Sequence, residues 1–466
     1  MMKISAQLNS VYANELADVI RAFFPDAELS PDGEVLYFRE VFGNDSYAFT
    51  VSLGEKTSGG EIGCKVSDRL EYKRVTKRAA KIALYEFLSD VTGKKLPYGS
   101  LTGIRPTKLF RELCERGEDA EKVFLTDFGV SAEKTALVKR IAEVQKDSYL
   151  KDAQTVDFFV NIPFCPTRCT YCSFITVPVS KLKKYINEYV FKLKEEISIL
   201  KNIIKENNYR VRAVYFGGGT PTSLPINLLA ELLGQIDFAF DEFTVEAGRP
   251  DTVNADVLRL LADGGVTRIS VNPQTLNDKT LQIIGRQHTA ARFFEAYSLA
   301  ARFDFDVNVD LIAALPGENF GDFKYSLDSV RALKPQNVTV HTLSLKRGSS
   351  LMLSDYDNTS DEAAAMVDYA YRALTGEGYE PYYMYRQKHQ SGNLENTGYA
   401  LPGKPSLYNI DIMEESLSVL AAGAGSISKR LFAENGRLER QADFKSVIDY
   451  IARFDEIKNL TRKFWA

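Results

Sequence analysis

Three of the five cysteines in this 466-residue chain fall within eight residues, Cys165-Pro-Thr-Arg-Cys169-Thr-Tyr-Cys172. Thiols this close constrain the chain more than any other feature. A structural zinc site takes four Cys or His ligands, commonly as two close pairs. No fourth ligand is near: Cys64 and Cys114 lie far upstream, and His288, His341 and His389 far downstream. Three thiolates suit an iron–sulfur cube in which one iron keeps an open position for a small ligand. An open iron is what a catalytic cluster needs. The alternatives are a zinc knuckle, which would lack its fourth ligand, or three unrelated buried cysteines.

The flanking residues carry a family resemblance. Cys-x-x-x-Cys-x-x-Cys with Tyr171 just before the third cysteine resembles the signature of radical S-adenosylmethionine (SAM) enzymes. Asn161-Ile-Pro-Phe-Cys165 narrows this to the oxygen-independent coproporphyrinogen III oxidase/dehydrogenase family, in its version with an added N-terminal domain. The resemblance runs over roughly residues 155–430. It implies a 4Fe-4S cluster on Cys165, Cys169 and Cys172, whose open iron chelates the amino and carboxyl groups of S-adenosyl-L-methionine. One electron then splits SAM into methionine and a 5'-deoxyadenosyl radical. In such enzymes the cofactors bring the difficult chemistry and the protein supplies placement and shielding.

Composition sets outer bounds. A formal net charge of −4 gives no global field to draw in nucleic acid or an anionic membrane. Few, unevenly spaced cysteines argue against a disulfide framework. The N-terminal residues lack the apolar core of a signal peptide, and no stretch has the length of a membrane span. The expectation is a soluble, cytoplasmic protein.

The pattern along the chain suggests an α+β N-terminal domain over residues 1–150, a barrel over 151–350, and a mostly helical C-terminal region over 351–466 that covers the barrel and substrate site. Alternation over residues 33–53 predicts a β-hairpin, and residues 68–90 an amphipathic helix with Lys73, Lys77 and Lys81 on its basic side, beside Arg74 and Arg78. That side reads as a solvated face. From residue 156, strands at 156–162, 211–216, 242–247, 267–272, 305–311 and 336–343 alternate with helices. Such alternation means parallel βαβ units, so the fold class is α/β. By resemblance it is an incomplete (β/α)6 barrel, in which chemistry gathers at the C-terminal strand ends.

The remaining motifs fall at those ends. Gly217-Gly218-Gly219-Thr220 follows the second strand; alone it could be a tight turn, but the resemblance puts Gly218, Gly219 and Thr220 against the amino-acid end of SAM. Glu246 ends the third strand, Gln274 follows the fourth, and Arg286 comes twelve residues later. The resemblance gives all three to SAM, and the arginine fork fits a carboxylate. Asp310, read as the end of the fifth strand, is implied at the adenosine portion. Where the family has a Tyr six residues before the first cysteine, this chain has Phe159, so only ring packing can persist there.

Arg386 and Lys388 beside Tyr382, Tyr383 and Tyr385, with Lys346 and Arg347, suit either a flat substrate edged with carboxylates or a charged rim. A lone His341 is read as packing in the barrel mouth. The implied reaction is oxidative decarboxylation of a porphyrinogen, coproporphyrinogen III, to protoporphyrinogen IX, with an electron donor such as flavodoxin or ferredoxin. Two alternatives remain. The related heme-binding chaperones carry a His-Asn-x-x-Tyr-Trp motif, and Leu407-Tyr408-Asn409-Ile410-Asp411-Ile412-Met413 here has neither His nor Trp. An RNA-modifying radical SAM enzyme would use the basic helix, but near-neutral charge makes nucleic acid a poor partner.

Overall fold

The computed structural model describes residues 4–24, 34–66, 68–103, 105–172, 174, 176–344, 360–387, 390–432 and 436–466. Lys346, Arg347, Lys388 and His389 lie outside the described residues. The chain divides into two compact units, Met1–Ala142 with Tyr385–Glu395, and Glu143–Met384 with Asn396–Ala466. No described helix is long and apolar enough to cross a membrane.

In the first unit, strands Ile4–Asn9, Glu34–Phe42, Ser46–Leu53 and Lys56–Gly63 form one sheet in that order. The hairpin turns between Phe42 and Tyr47, which pair in register. Alternate residues Leu36, Phe38, Tyr47 and Val51 face the core, as period-two side chains must. Helices Ala13–Phe23 and Arg69–Thr92 supply Leu16, Val19, Ile20, Leu84 and Leu88 to the same core.

The basic side of Arg69–Thr92 is not uniformly solvated. Lys73 and Arg74 are exposed, but Lys77, Arg78 and Lys81 are half-buried. Lys77 meets Glu15 at 3.6 Å, Arg78 lies 5.0 Å over the Phe128 ring, and burial pushes Lys81 down to about 8. The aliphatic stems of these cations cover apolar surface. Arg386 also belongs to this unit. Its guanidinium stacks 4.2 Å from the Tyr98 ring and donates to the Leu101 and Asn393 carbonyls.

The second unit is built on six strands: Thr155–Ile162, Arg210–Gly218, Glu242–Glu246, Arg268–Ser270, Asp306–Ala313 and Asn337–Thr342. They run parallel and lie side by side in chain order. The sheet does not close. It is an incomplete (β/α)6 barrel, extended by Ser418–Ala422 parallel to the first strand and Asn396–Ala400 antiparallel to the sixth. Among its described residues the C-terminal region has more helix than strand, yet all five strands there join this sheet.

On the first strand Val156, Phe158, Val160 and Ile162 are fully buried, while Asp157, Phe159 and Asn161 alternate onto the opposite, concave face. Helix Ile186–Glu206 presents Tyr189, Leu193, Ile197 and Leu200 at helical spacing to the buried side. Asn254, Thr289 and Asn319 cap three of the connecting helices with side-chain oxygens.

Residues 404–411 seal the base of the concave face through charge. Glu242, first in the third strand, accepts from Ser406 Oγ at 2.9 Å and Leu407 N at 3.0 Å, and pairs with Arg268 Nε at 3.4 Å. Arg268 also reaches Asp306 at 3.3 Å, and Arg212 meets Asp411 at 3.3 Å. Beside them Asp157 has no hydrogen-bond partner among the described residues, and burial with Asp411 nearby raises its pKa well above the usual range. Removing one partner of a buried pair leaves the other charge uncompensated. Glu242→Ala is therefore expected to destabilise the protein by on the order of 3–5 kcal/mol in urea unfolding, and Asp241→Ala, on the exposed neighbour, by less than about 1 kcal/mol.

Candidate functional site

The cysteine loop leaves the first strand through a two-residue strand, Phe164–Cys165, which pairs with Val177–Pro178 and so pinches the loop shut. The loop has little regular structure of its own and is tied to strand ends. Thr170 N donates to the Ile284 carbonyl at 3.0 Å, and Thr167 Oγ1 to that of Gly285 at 3.1 Å. Arg249, almost wholly buried, donates to Thr167 Oγ1 at 3.0 Å while its fork holds Asp251. Cys165, Cys169 and Cys172 are half-buried and in no disulfide. Thr220 Oγ1 donates to Cys165 Sγ at 3.5 Å. Burial, with the neighbouring thiols adding to it, pushes Cys165 up to about 11 and raises Cys172 as well.

The glycine run packs directly beneath this loop. Gly219 N donates to the Ile162 carbonyl, Thr220 N to that of Phe164. A Cβ on Gly219 would stand 2.5 Å from the Phe164 oxygen. Gly218 has a φ of +96°, and a Cβ there would meet Asn161 Oδ1 at 1.7 Å. The chain's own packing therefore demands both glycines, in addition to any use a ligand makes of the bare backbone.

Glu246 accepts from the Tyr215 hydroxyl at 2.6 Å. Its side chain is only half-buried, yet burial pushes its pKa up to about 7; the Tyr215 hydroxyl and Gly218 amide pull down, and Asp310 pushes up. Tyr215 stacks on Tyr408 at 4.3 Å, and Phe159 stacks against both rings at 6.2 and 6.1 Å. Asp310 accepts from Asn272 Nδ2 at 2.8 Å and Asn308 Nδ2 at 2.6 Å, with His341 Nε2 at 3.6 Å. Gln274 has a φ of +70° and exchanges backbone hydrogen bonds with the fifth strand, taking the Asp310 carbonyl at 3.1 Å. Arg286 donates to the Asn272 and Gly248 carbonyls and lies beside Tyr171 and Cys169. Tyr171 itself packs on Leu281, Ile284, Ile312, Leu315 and Leu343.

The structure thus brings the three cysteines, Gly218, Gly219, Thr220, Glu246, Gln274, Arg286 and Asp310 to one mouth, with Phe159 just beneath. Asp310 is not at a strand end: the fifth strand runs on to Ala313, and the asparagines on either side hold the carboxylate inside the mouth. Arg386 is committed to the first unit, Tyr382 accepts from Asn409 Nδ2 at 3.2 Å, and Tyr383 lies under Gly398, so these residues assemble no cationic rim among the described residues. His341 packs in the mouth against Asp310. Sequence reasoning missed Tyr215 and Tyr408, which carry no motif, and Arg249 and His288. His288 is buried with both ring nitrogens unpartnered among the described residues, and burial beside Arg286 and Arg249 pushes it down to about 3.

The buried atoms here that lack partners among the described residues include Gln274 Oε1 and Arg286 Nε. Buried polar groups are normally satisfied, so an acceptor and a cationic donor left open beside three thiols fit a polar ligand alongside a thiolate-bound metal group.

The raised Glu246 pKa has a stability consequence. Its neutral form is favoured on folding, so the stability it contributes is present below the ordinary carboxylate range and is lost as pH rises through about 7. Relative to Glu246→Gln, the SAM-free wild type is expected to match at about pH 4 and to lie on the order of 1–3 kcal/mol lower at about pH 8 in denaturant titrations. A pH-independent difference between the two proteins would contradict this.

A family model for the radical SAM superfamily matches residues 160–330. The chain is 36% identical to the oxygen-independent coproporphyrinogen-III oxidase-like protein HemZ of Bacillus subtilis, over 94% of this chain and 93% of that protein. It is 31% identical to the heme chaperone HemW of Lactococcus lactis, over 57% of this chain and 68% of the chaperone. Among solved structures, coproporphyrinogen III oxidase (HemN) of Escherichia coli superposes with a TM-score of 0.53 at 21% identity, over 68% of this chain and 73% of that one, a likeness of fold. Radical SAM proteins use a 4Fe-4S cluster and SAM, and those are the cofactors of this fold. The chain belongs to the radical SAM superfamily and, within it, to the oxygen-independent coproporphyrinogen-III oxidase-like family that includes HemZ.

Proposed function

We propose that this protein is a cytoplasmic radical SAM enzyme that converts coproporphyrinogen III to protoporphyrinogen IX without oxygen. What carries the reading is the meeting of three thiols with open buried polar groups in one mouth, on a chain matching a coproporphyrinogen-III oxidase-like protein along 94% of its length. With a reducing partner such as flavodoxin or ferredoxin, the cluster and SAM bound there would supply the hydrogen-abstracting chemistry that oxidative decarboxylation of a propionate to a vinyl group requires.

The chain's residues place and shield. Cys165, Cys169 and Cys172 would hold the cluster. Arg286 offers its open Nε to the SAM carboxylate, and Glu246 its carboxylate to the amino group. Gly218, Gly219 and Thr220 line the amino-acid end, and Gln274 and Asp310 hold the adenosine portion. Tyr171 and Phe159 pack beside them. A cationic amino group favours ionised Glu246, so SAM binding near neutral pH should release protons.

A heme chaperone is the second reading, favoured by the 31% identity to HemW. Against it, Tyr408 and Asn409, where the chaperone motif falls, are engaged in the Tyr215 stack and with Tyr382.

Each of Cys165→Ser, Cys169→Ser and Cys172→Ser is expected to abolish or destabilise the brown chromophore after anaerobic reconstitution, whereas Cys64→Ser and Cys114→Ser should not. Reconstituted protein given SAM, reductant, an electron acceptor and coproporphyrinogen III should form vinyl groups in proportion to the methionine and 5'-deoxyadenosine released. Tight heme uptake with the tetracarboxylate unchanged would replace the decarboxylase reading by the chaperone one.

A further inference from the structure

From Phe158 through Asn187 the chain has no Asp or Glu but four cations, Arg168, Lys181, Lys183 and Lys184, in a protein of net charge −4. This stretch contains the cysteine loop and its return. The pairing of Phe164 with Val177 and of Cys165 with Pro178 brings the return segment against the first cysteine. Lys181, Lys183 and Lys184 follow at once, in the short turns Val179–Leu182 and Lys183–Tyr185. All three are exposed, and none has an ion pair among the described residues. The next helix behaves differently: Lys192, Lys194 and Lys201 meet Glu195, Glu231 and Asp237 at 3.1, 2.8 and 2.7 Å. Arg168 is exposed between Cys165 and Cys169. Phe174, two residues past Cys172, is 67% exposed. An exposed ring in a stretch whose three exposed lysines have no ion pair among the described residues suits a negatively charged protein surface, because such charges steer association and set its salt dependence.

We propose that the Lys181–Lys184 turn, with Arg168 and Phe174, is the docking face for an acidic one-electron carrier protein that reduces the cysteine-held cluster. In that step the reduced carrier loses one electron, the cluster gains it, and no bond to either protein forms or breaks. The proposal rests on the cluster at Cys165, Cys169 and Cys172, not on the porphyrinogen as substrate.

The test uses the full chain with a flavodoxin in one arm and a ferredoxin in the other. A triple reversal, Lys181→Glu with Lys183→Glu and Lys184→Glu, is compared with the control pair Arg302→Glu and Lys334→Glu, exposed positions after helices that return to the N-terminal strand ends. Carrier binding is first measured on cluster-free protein at low salt, then cluster reduction is followed by bleaching, with the carrier or with dithionite. The triple variant is expected to bind at least one carrier about tenfold or more weakly than wild type, to lose most of the salt dependence, and to be reduced by dithionite at the wild-type rate. The control pair should change carrier binding by less than about twofold. The proposal is overturned if neither carrier binds wild type, if the triple variant binds and is reduced like wild type, or if dithionite reduction slows equally, since the lysines would then be holding the cluster. Failure of the porphyrinogen assay leaves all these readouts intact.

Discussion

Two buried arginines fasten an irregular loop to regular strands, and the mouth depends on them. Arg249 joins the cysteine loop at Thr167 to Asp251 after the third strand; Arg286 joins Tyr171 and Cys169 to the carbonyls of Asn272 and Gly248. Buried cations must be paired or hydrogen-bonded, so each fixes everything it touches. The thiols inherit their positions from strand ends through these ties. A reactive group placed this way is held more tightly than a free loop could hold it.

The two ends of the concave face use charge in opposite ways. At the base, Glu242 takes partners from the sealing segment and from Arg268, so the ionic groups there hold the open sheet to its C-terminal plug. At the mouth, Gln274 Oε1 and Arg286 Nε have no partner among the described residues, and Glu246 sits where burial raises its pKa. Unsatisfied polar groups destabilise a fold, and leaving them open beside three thiols is the usual trade of stability for a binding site. At the base Asp157 and Asp411 Oδ2 also lack partners among the described residues, and burial near Asp411 favours the neutral form of Asp157, which spares the lumen one more charge.

Much of this was legible in the sequence because it is local. Cysteine spacing, strand–helix alternation and glycine runs sit within a few residues, and they located the six strands and the loop, while Glu246, Gln274, Arg286 and Asp310 came from the family resemblance. The fourth strand was read too long, as 267–272 against Arg268–Ser270, because the chain turns into the mouth immediately afterwards at Asn272 and Gln274. Long-range partners were not legible. Nothing near Tyr408 announces that it stacks on Tyr215, some two hundred residues away, or that Ser406 closes the base on Glu242. Arg386 read as a substrate-facing cation, and only three-dimensional packing shows its charge absorbed by Tyr98 and two carbonyls. The basic helix misled for a similar reason, since a stripe of lysines does not reveal which stems lie down on apolar surface.

The central claim is that three thiols hold an iron–sulfur cube whose open iron meets SAM in this mouth. Mössbauer spectroscopy of the anaerobically reconstituted, iron-57-labelled protein, with and without SAM, tests it most directly. One iron of the four should change its isomer shift when SAM is added, and Arg286→Ala should keep the cluster while weakening that change. Four irons that ignore saturating SAM, or a cluster that needs Cys64 or Cys114, would contradict the account.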